Sequence, residues 1–264
     1  MKVLDHNCRF PVPPAHMDID PNLSQTERAV YGLRGLIVQG KLKPGDRVLE
    51  QALVDAFGVS RTPARAAMQR ISEEGLIAVQ PSGGYVVSSF TEDDVLDAIS
   101  IRGTLEGMAA RMAAEKGAPA RVLKAMHECL EELDEVVGSP DVAARQNDYV
   151  VLNDRLHDLI CGAAQSPMVA RALQRLVAIP FSVNNSFTDV PASAEASVRD
   201  ILRGAQEQHR NIVEAIENRE GTRAQALMIE HSRSTWKYLN LMLHLPEPAA
   251  LPGGLEAALR ARRT

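Results

Sequence analysis

The sequence predicts a mainly α-helical protein in two parts: a small head of three helices with a β-hairpin, then an all-α bundle of six or seven helices. Three observations predict it. Apolar residues recur at helical spacing along most of the 264 residues. One pair of β-prone runs flanks a Gly-rich turn ahead of residue 90. From Thr91 onward the texture changes to long amphipathic stretches broken by Pro and Gly, with no convincing strand.

The elements of the head follow in order. "SQTERAVYGLRGLIVQG" places Val30, Leu33, Leu36 and Ile37 on one helical face, and Gly40 marks its end. "KLKPGDRV" holds a turn at Pro44-Gly45. "LEQALVDAFG" reads as a short helix with Leu49, Leu53 and Phe57 inward and Gly58 closing it. A third helix starts after Ser60 or Thr62 as N-cap, tolerates Pro63 in its first turn, and ends at Gly75. Leu76–Val79 and Tyr85–Val87 then form a hairpin around Pro81-Ser82-Gly83-Gly84. Helix, turn, helix, tight turn, helix and Gly-tipped hairpin is the order of a winged helix-turn-helix, whose third helix enters the DNA major groove.

Beyond Thr91, breaks near 117–119, 138–140, 166–167, 180, 191 and 221 divide the six or seven helices of the second part. Residues 1–23, with acids and prolines where a signal peptide needs a basic start and an apolar stretch, read as a flexible lead-in. Residues 24–90 form the head and 91–244 the helical domain; 245–264, rich in Pro and Gly, read as a loosely ordered tail. No apolar run approaches the roughly 20 residues needed to cross a bilayer. Cys8, Cys129 and Cys161 are scattered and odd in number, which fits a reducing cytoplasm better than a disulfide framework.

The net charge is -5, yet residues 24–90 hold 8 Lys and Arg against 6 Asp and Glu. The remainder is acidic, which excludes a generally nucleic-acid-coating protein but permits a small basic head. On a helical wheel of the third helix, Ala64, Ala67, Met68 and Ile71 form the buried stripe. Arg61, Thr62, Arg65, Gln69 and Ser72 form a polar face without an acid, while Arg70 lies apart and supports the body of the head. Such a face alone is most often solvated surface. With the flanking helix and the wing it points to DNA, because Arg can reach guanine O6 and N7 together and small hydroxyls suit phosphate oxygens.

In the helical part, Asn153 and His157 are four residues apart and share a helix face. His209 and His231 stand at similar distances on either side of the break near 218–221, so an antiparallel helix pair can bring them together. Three imidazoles and an amide oxygen, with positions left open, suit Zn²⁺, Ni²⁺, Mn²⁺ or Fe²⁺. Spacing alone leaves open that they are ordinary core residues, the reading given to His6, His16, His127 and His244.

The stretch from "LRGLIVQGKLKPGD" through "GVSRTPARAAM" to "EEGLIAVQPSGGYVV" resembles the DNA-binding head of the GntR family of bacterial transcription regulators. That resemblance implies DNA contacts at Arg61, Thr62, Arg65 and the wing residue Gly84; the family often has Glu where this chain has Ala66, and Arg where it has Gly83. Residues 91–243 resemble the FCD effector domain of the FadR subfamily, through "NDRLH", "QHRNIVEAI" and "IEHS". This implies a metal held by Asn153, His157, His209 and His231, although the family more often has Asp at the first position. "SIRGTLEGM" resembles the domain's opening helix. Arg102 and Glu106 are by spacing an i,i+4 ion pair; the resemblance implies that Arg102 reaches into the metal cavity to hold an anionic effector. Asn184 or Ser182 is expected to line it too.

The expectation is a homodimeric, ligand-responsive regulator, a repressor in most such relatives. Two heads would read an inverted-repeat DNA operator, and a small carboxylate would change their affinity. A metal-free regulator of the same architecture is the alternative. A His-centred metallohydrolase is a further one, weakened because Asp154 and Asp158 are expected to point to other faces than the ligands. The protein is not expected to be an enzyme or to bind membranes.

Overall fold

The computed structural model describes residues 23–38, 40–142, 144–176, 190 and 192–245. The expected lead-in and tail, and Ser182 and Asn184, lie outside these apart from Leu23 and Leu245 at the edges.

The head is built from α1 (Gln25–Val38), β1 (Arg47–Val48), α2 (Glu50–Phe57), α3 (Arg61–Glu73), β2 (Ile77–Val79) and β3 (Tyr85–Val87). A capping box opens α1: Glu27 N–H donates to Ser24 Oγ at 3.3 Å, and Ser24 N–H to Glu27 Oε2 at 3.0 Å. The expected stripe is the buried one: Ala64, Ala67, Met68 and Ile71 pack with Val30, Leu33, Leu36 and Ile37 of α1 and Leu53 and Phe57 of α2. Leu49 departs from expectation. It is 44% exposed and sits in extended backbone as the residue before α2, so helical periodicity does not apply to it, and Ala52 is buried beside Leu53 instead. Ser60 is the N-cap of α3, without a side-chain hydrogen bond.

The wing is larger than the expected hairpin. β3 lies between β2 and β1, antiparallel to both, with Ala78 and Arg47 each opposite Val86. A two-residue strand carries no periodicity of its own, which is why β1 was not foreseen. At the tip, Gly83 and Gly84 take φ of 86° and 87°, conformations costly for any residue with a Cβ.

The second compact unit holds six helices among the described residues: α4 (Glu92–Lys116), α5 (Ala120–Gly138), α6 (Gln146–Ala163), α7 (Pro167–Leu176), α8 (Glu195–Glu217) and α9 (Gly221–Leu243). α4 packs against α6, α7, α8 and α9, and α8 and α9 form the antiparallel pair foreseen around residue 218. Contact between α4 and α9 depends on small residues. A Cβ at Gly103 would stand 2.3 Å from Ser232 Oγ, and one at Gly107 would stand 3.0 Å from the Gln225 carbonyl oxygen. No helix among the described residues is long and apolar enough to cross a membrane.

Candidate functional site

The head carries its candidate residues on open surface. Arg61, Thr62, Arg65 and Gln69 are exposed along α3, and Gly84 is exposed at the wing tip. Arg65, Gln69 and Gly84 line one concavity of about 420 Å³ between α3, the start of α2 and the wing. Leu49, expected inward, lines it as well, and so does Glu50, which the sequence did not single out. Glu50 Oε2 accepts a short charge-assisted hydrogen bond from Arg65 Nε, and its Oε1 lies 3.9 Å from Arg61 Nε. The face expected to be free of acids meets two: α2 supplies Glu50, and at the end of α3 itself Glu73 Oε1 accepts from Gln69 Nε2 at 3.1 Å. Arg70 turns instead to Glu74, at 3.6 Å, and the same carboxylate receives Arg34 of α1 at 2.8 Å.

In the helical unit, α6, α8 and α9 bring His157, His209 and His231 together, all buried. Their Nε2 atoms face one another: His209 to His231 at 3.0 Å, and His157 to His231 at 3.3 Å. The other ring nitrogens are engaged. His209 Nδ1 lies 3.1 Å from Gln206 Oε1, and the Gln206 amide nitrogen donates to the Leu130 carbonyl and to Asp134, which fixes that oxygen toward the ring. His231 Nδ1 lies 3.3 Å from Gln208 Oε1, which also accepts from Ser234 Oγ. His157 Nδ1 is 3.1 Å from Glu106 Oε1, close enough for attraction though off the hydrogen-bonding line.

This network assigns the proton of His209 and His231 to Nδ1 and leaves a lone pair on each Nε2. Lone pairs converging at about 3 Å repel unless a cation lies between them. Nitrogens sharing one ion at bonds of about 2.0–2.1 Å are spaced by about this much. The three histidines can therefore hold a divalent metal, and acceptors behind ligand imidazoles are the usual means of orienting them. Burial first, then the neighbouring imidazoles, keep His209 well below the usual imidazole pKa of 6.5. Burial and the charge of His157 bring His231 to about 3. Neutral rings are the form that ligates a metal.

Asn153, one turn before His157, is also buried, and its Nδ2 makes no hydrogen bond. A buried amide so orphaned calls for a partner; rotated about its last bond, it presents an oxygen there. Arg102 Nε donates to Glu106 Oε1 at 2.8 Å in a largely buried pair. Burial alone would raise the Glu106 carboxyl, but the charges of His157 and Arg102 and their close contacts outweigh it and hold it at about 2. Arg102, Glu106 and His157 line a cavity of about 460 Å³ together with Asp154, Asp158 and Cys161. The two aspartates thus share the cavity with His157 rather than pointing elsewhere, because positions three and four apart form one broad helix face. Burial and the charge of Asp154 raise the Asp158 carboxyl.

An exposed arginine helix beside a glycine-tipped wing, in one chain with a bundle whose cavity carries charged side chains on a largely apolar lining, defines a DNA-binding regulator with a ligand-binding domain. Family comparison agrees. Residues 25–87 match the bacterial regulatory proteins of the gntR family, and residues 97–234 match the FCD domain. The chain belongs to the GntR family of transcriptional regulators, in its FCD-bearing form, and not to a family of enzymes.

It is similar to a probable D-xylose utilization operon transcriptional repressor of Paenarthrobacter nicotinovorans, 26% identical over 227 residues that span 85% of this chain and 89% of the relative. It is also similar to the HTH-type transcriptional repressor RspR of Escherichia coli, 25% identical over 81% of this chain and 90% of that one. The solved structure of E. coli McbR/YncC shares the fold, with a TM-score of 0.57 at 21% identity over 83% of this chain and 99% of that chain.

Proposed function

We propose that this regulator works in the cytoplasm as a homodimeric repressor of the FadR subfamily, with residues 24–90 reading DNA and 91–244 holding a metal and an effector. Arg61, Thr62, Arg65, Gln69 and Gly84 of two heads read an inverted-repeat operator. Asn153, His157, His209 and His231 hold one divalent transition metal, Zn, Ni, Mn or Fe. A small carboxylate binds beside it, oriented by Arg102. The observation that carries the metal reading is the convergence of Nε2 atoms whose rings are each backed at Nδ1.

When bound, the ion supplies a Lewis-acidic centre with positions open to oxygen ligands. Glu106 pairs with Arg102 at the cavity wall and faces the back of His157. The repressor reading is supported by the two relatives, a probable and a named transcriptional repressor. Dimerisation is supported by Ile101 and Met108, exposed seven residues apart on the same side of α4. An effector acts only through unequal affinity for the DNA-competent and DNA-incompetent arrangements, and a tenfold change in operator affinity corresponds to about 1.4 kcal/mol.

A metal-free version of the same regulator would need a proton on one of the facing Nε2 atoms. At His209 that tautomer gives up the Nδ1 contact with Gln206 and leaves a buried amide oxygen short of a donor, whereas at His231 it gives up the contact with Gln208, whose oxygen keeps Ser234 Oγ as a donor. Elemental analysis decides between the two, on protein purified without an affinity metal column. About one transition metal per chain is expected. None, even after addition of Zn²⁺, Ni²⁺ or Mn²⁺, would make the histidines pocket lining only.

A further inference from the structure

We propose that Glu50 is a positioning residue for DNA reading, holding the Nε edge of Arg65 so that its terminal nitrogens are directed at a base; this rests on the DNA-reading role proposed for α3. The placement is specific. Glu50 occupies the first turn of α2, where the helix dipole favours a carboxylate, and lies in the concavity that also contains Arg65, Gln69 and Gly84. Its carboxylate takes the Nε–H of Arg65, while its second oxygen stands 3.9 Å from Arg61 Nε. The adjacent Gln51 Oε1 accepts from Arg61 Nη2 at 3.4 Å, so the first turn of α2 steadies both arginines.

An ion pair this exposed contributes little to folding, so its consequence lies elsewhere. A guanidinium has five N–H donors in a rigid fork, and guanine O6 and N7 need only two of them. Engaging Nε leaves both terminal nitrogens available and removes most of the freedom of a side chain that is otherwise 72% exposed. The same carboxylate offsets positive charge on the face, which weakens its attraction to phosphate of any sequence. Both effects act in one direction: Glu50 raises the ratio of specific to non-specific affinity.

The test uses the full chain and two duplexes of equal length: one that the wild-type protein itself enriches from a random pool, and a scrambled one. Both affinities are measured across a series of KCl concentrations for wild type, Glu50→Gln, Arg65→Ala and the double variant, with thermal unfolding to verify folding. Glu50→Gln is expected to bind the scrambled duplex more tightly, with a steeper salt dependence, and the selected duplex more weakly. The ratio of the two affinities falls about tenfold, within the range of one bidentate base contact. In the Arg65→Ala background the same change leaves the ratio where it was.

An unchanged ratio in the wild-type background overturns the proposal. So does an equal fall in both backgrounds, which would make Glu50 an independent contact, or tighter binding of the selected duplex, which would make it a mask over Arg65. Failure of the underlying reading looks different: the wild type enriches no sequence, or Arg65→Ala selects as well as the wild type does.

Discussion

Arg61 and Arg65 each leave 72% of their side chains exposed, whereas His157, His209 and His231 are buried. The arginines come from one helix and need one neighbouring acid to steady them. The histidines come from three helices, and their outer nitrogens are backed by Gln206, Gln208 and Glu106. On the surface, water satisfies whatever the protein leaves unpaired, so charge can be gathered cheaply on a single element. In the interior every polar group must find a partner in the fold, so a buried donor set has to be built by several elements at once. The head can therefore change its contacts residue by residue, whereas the centre of the bundle stands or falls as a network.

That contrast breaks first at His209. His209→Ala is expected to lower metal retention by more than the ~10–100-fold typical of changes behind the ligands, while Gln206→Ala falls within that range. Competition with a chelator measures both, and operator binding without effector should be spared in each. Loss of DNA binding in the folded His209→Ala protein would show that the two sites are not separable.

Arg65→Ala sharpens the other side of the comparison. It is expected to weaken binding to the selected operator by about 1–3 kcal/mol and to leave metal content at the wild-type value. Titration with labelled duplex measures the first and elemental analysis the second.

Acid should act on the buried site before the exposed one. His209 and His231 have folded pKa values below 6.5, the latter about 3, so the unfolded chain binds more protons than the folded one once pH drops below 6.5. Stability of the metal-free protein is expected to fall progressively from pH 6.5 toward 3. Glu106, depressed to about 2, adds stability that is present above 4.5 and lost as pH falls toward 2. Urea unfolding at a series of pH values checks this, and a His209→Ala slope equal to that of wild type would remove His209 from the account.

The smallest effect is expected at Arg70. Its exposed i,i+4 contact with Glu74 gives Arg70→Ala a stability cost of about 0.3–0.5 kcal/mol. The slope of operator affinity against salt should not change, because Arg70 lies off the reading face. A shallower slope would place it on the phosphate backbone.

Much of the fold was legible because it follows from local pattern. The α3 stripe, the left-handed glycines of the wing and the break between α8 and α9 each depend on residues close in the chain. Leu49 was misjudged because its helix begins one residue later, which is a matter of backbone geometry and not of hydrophobicity. The histidines could be picked out as candidates from spacing around a turn. Nothing in the spacing pointed to Gln206, Gln208 or Glu50, which look like ordinary polar residues until their partners arrive.

By itself the sequence determined the two-part helical architecture, the outward arginine face and the three histidines worth watching, because periodicity and turn chemistry act over a few residues. Only the tertiary structure decided that the three Nε2 atoms face one another, that Arg102 lies paired with Glu106 on a cavity wall, and that an acid of α2 reaches the arginines of α3. Those outcomes depend on how closely helices approach and how they are rotated about their axes. Gly103 and Gly107 show why: the absence of two side chains on α4 lets α9, and His231 with it, come close to α4.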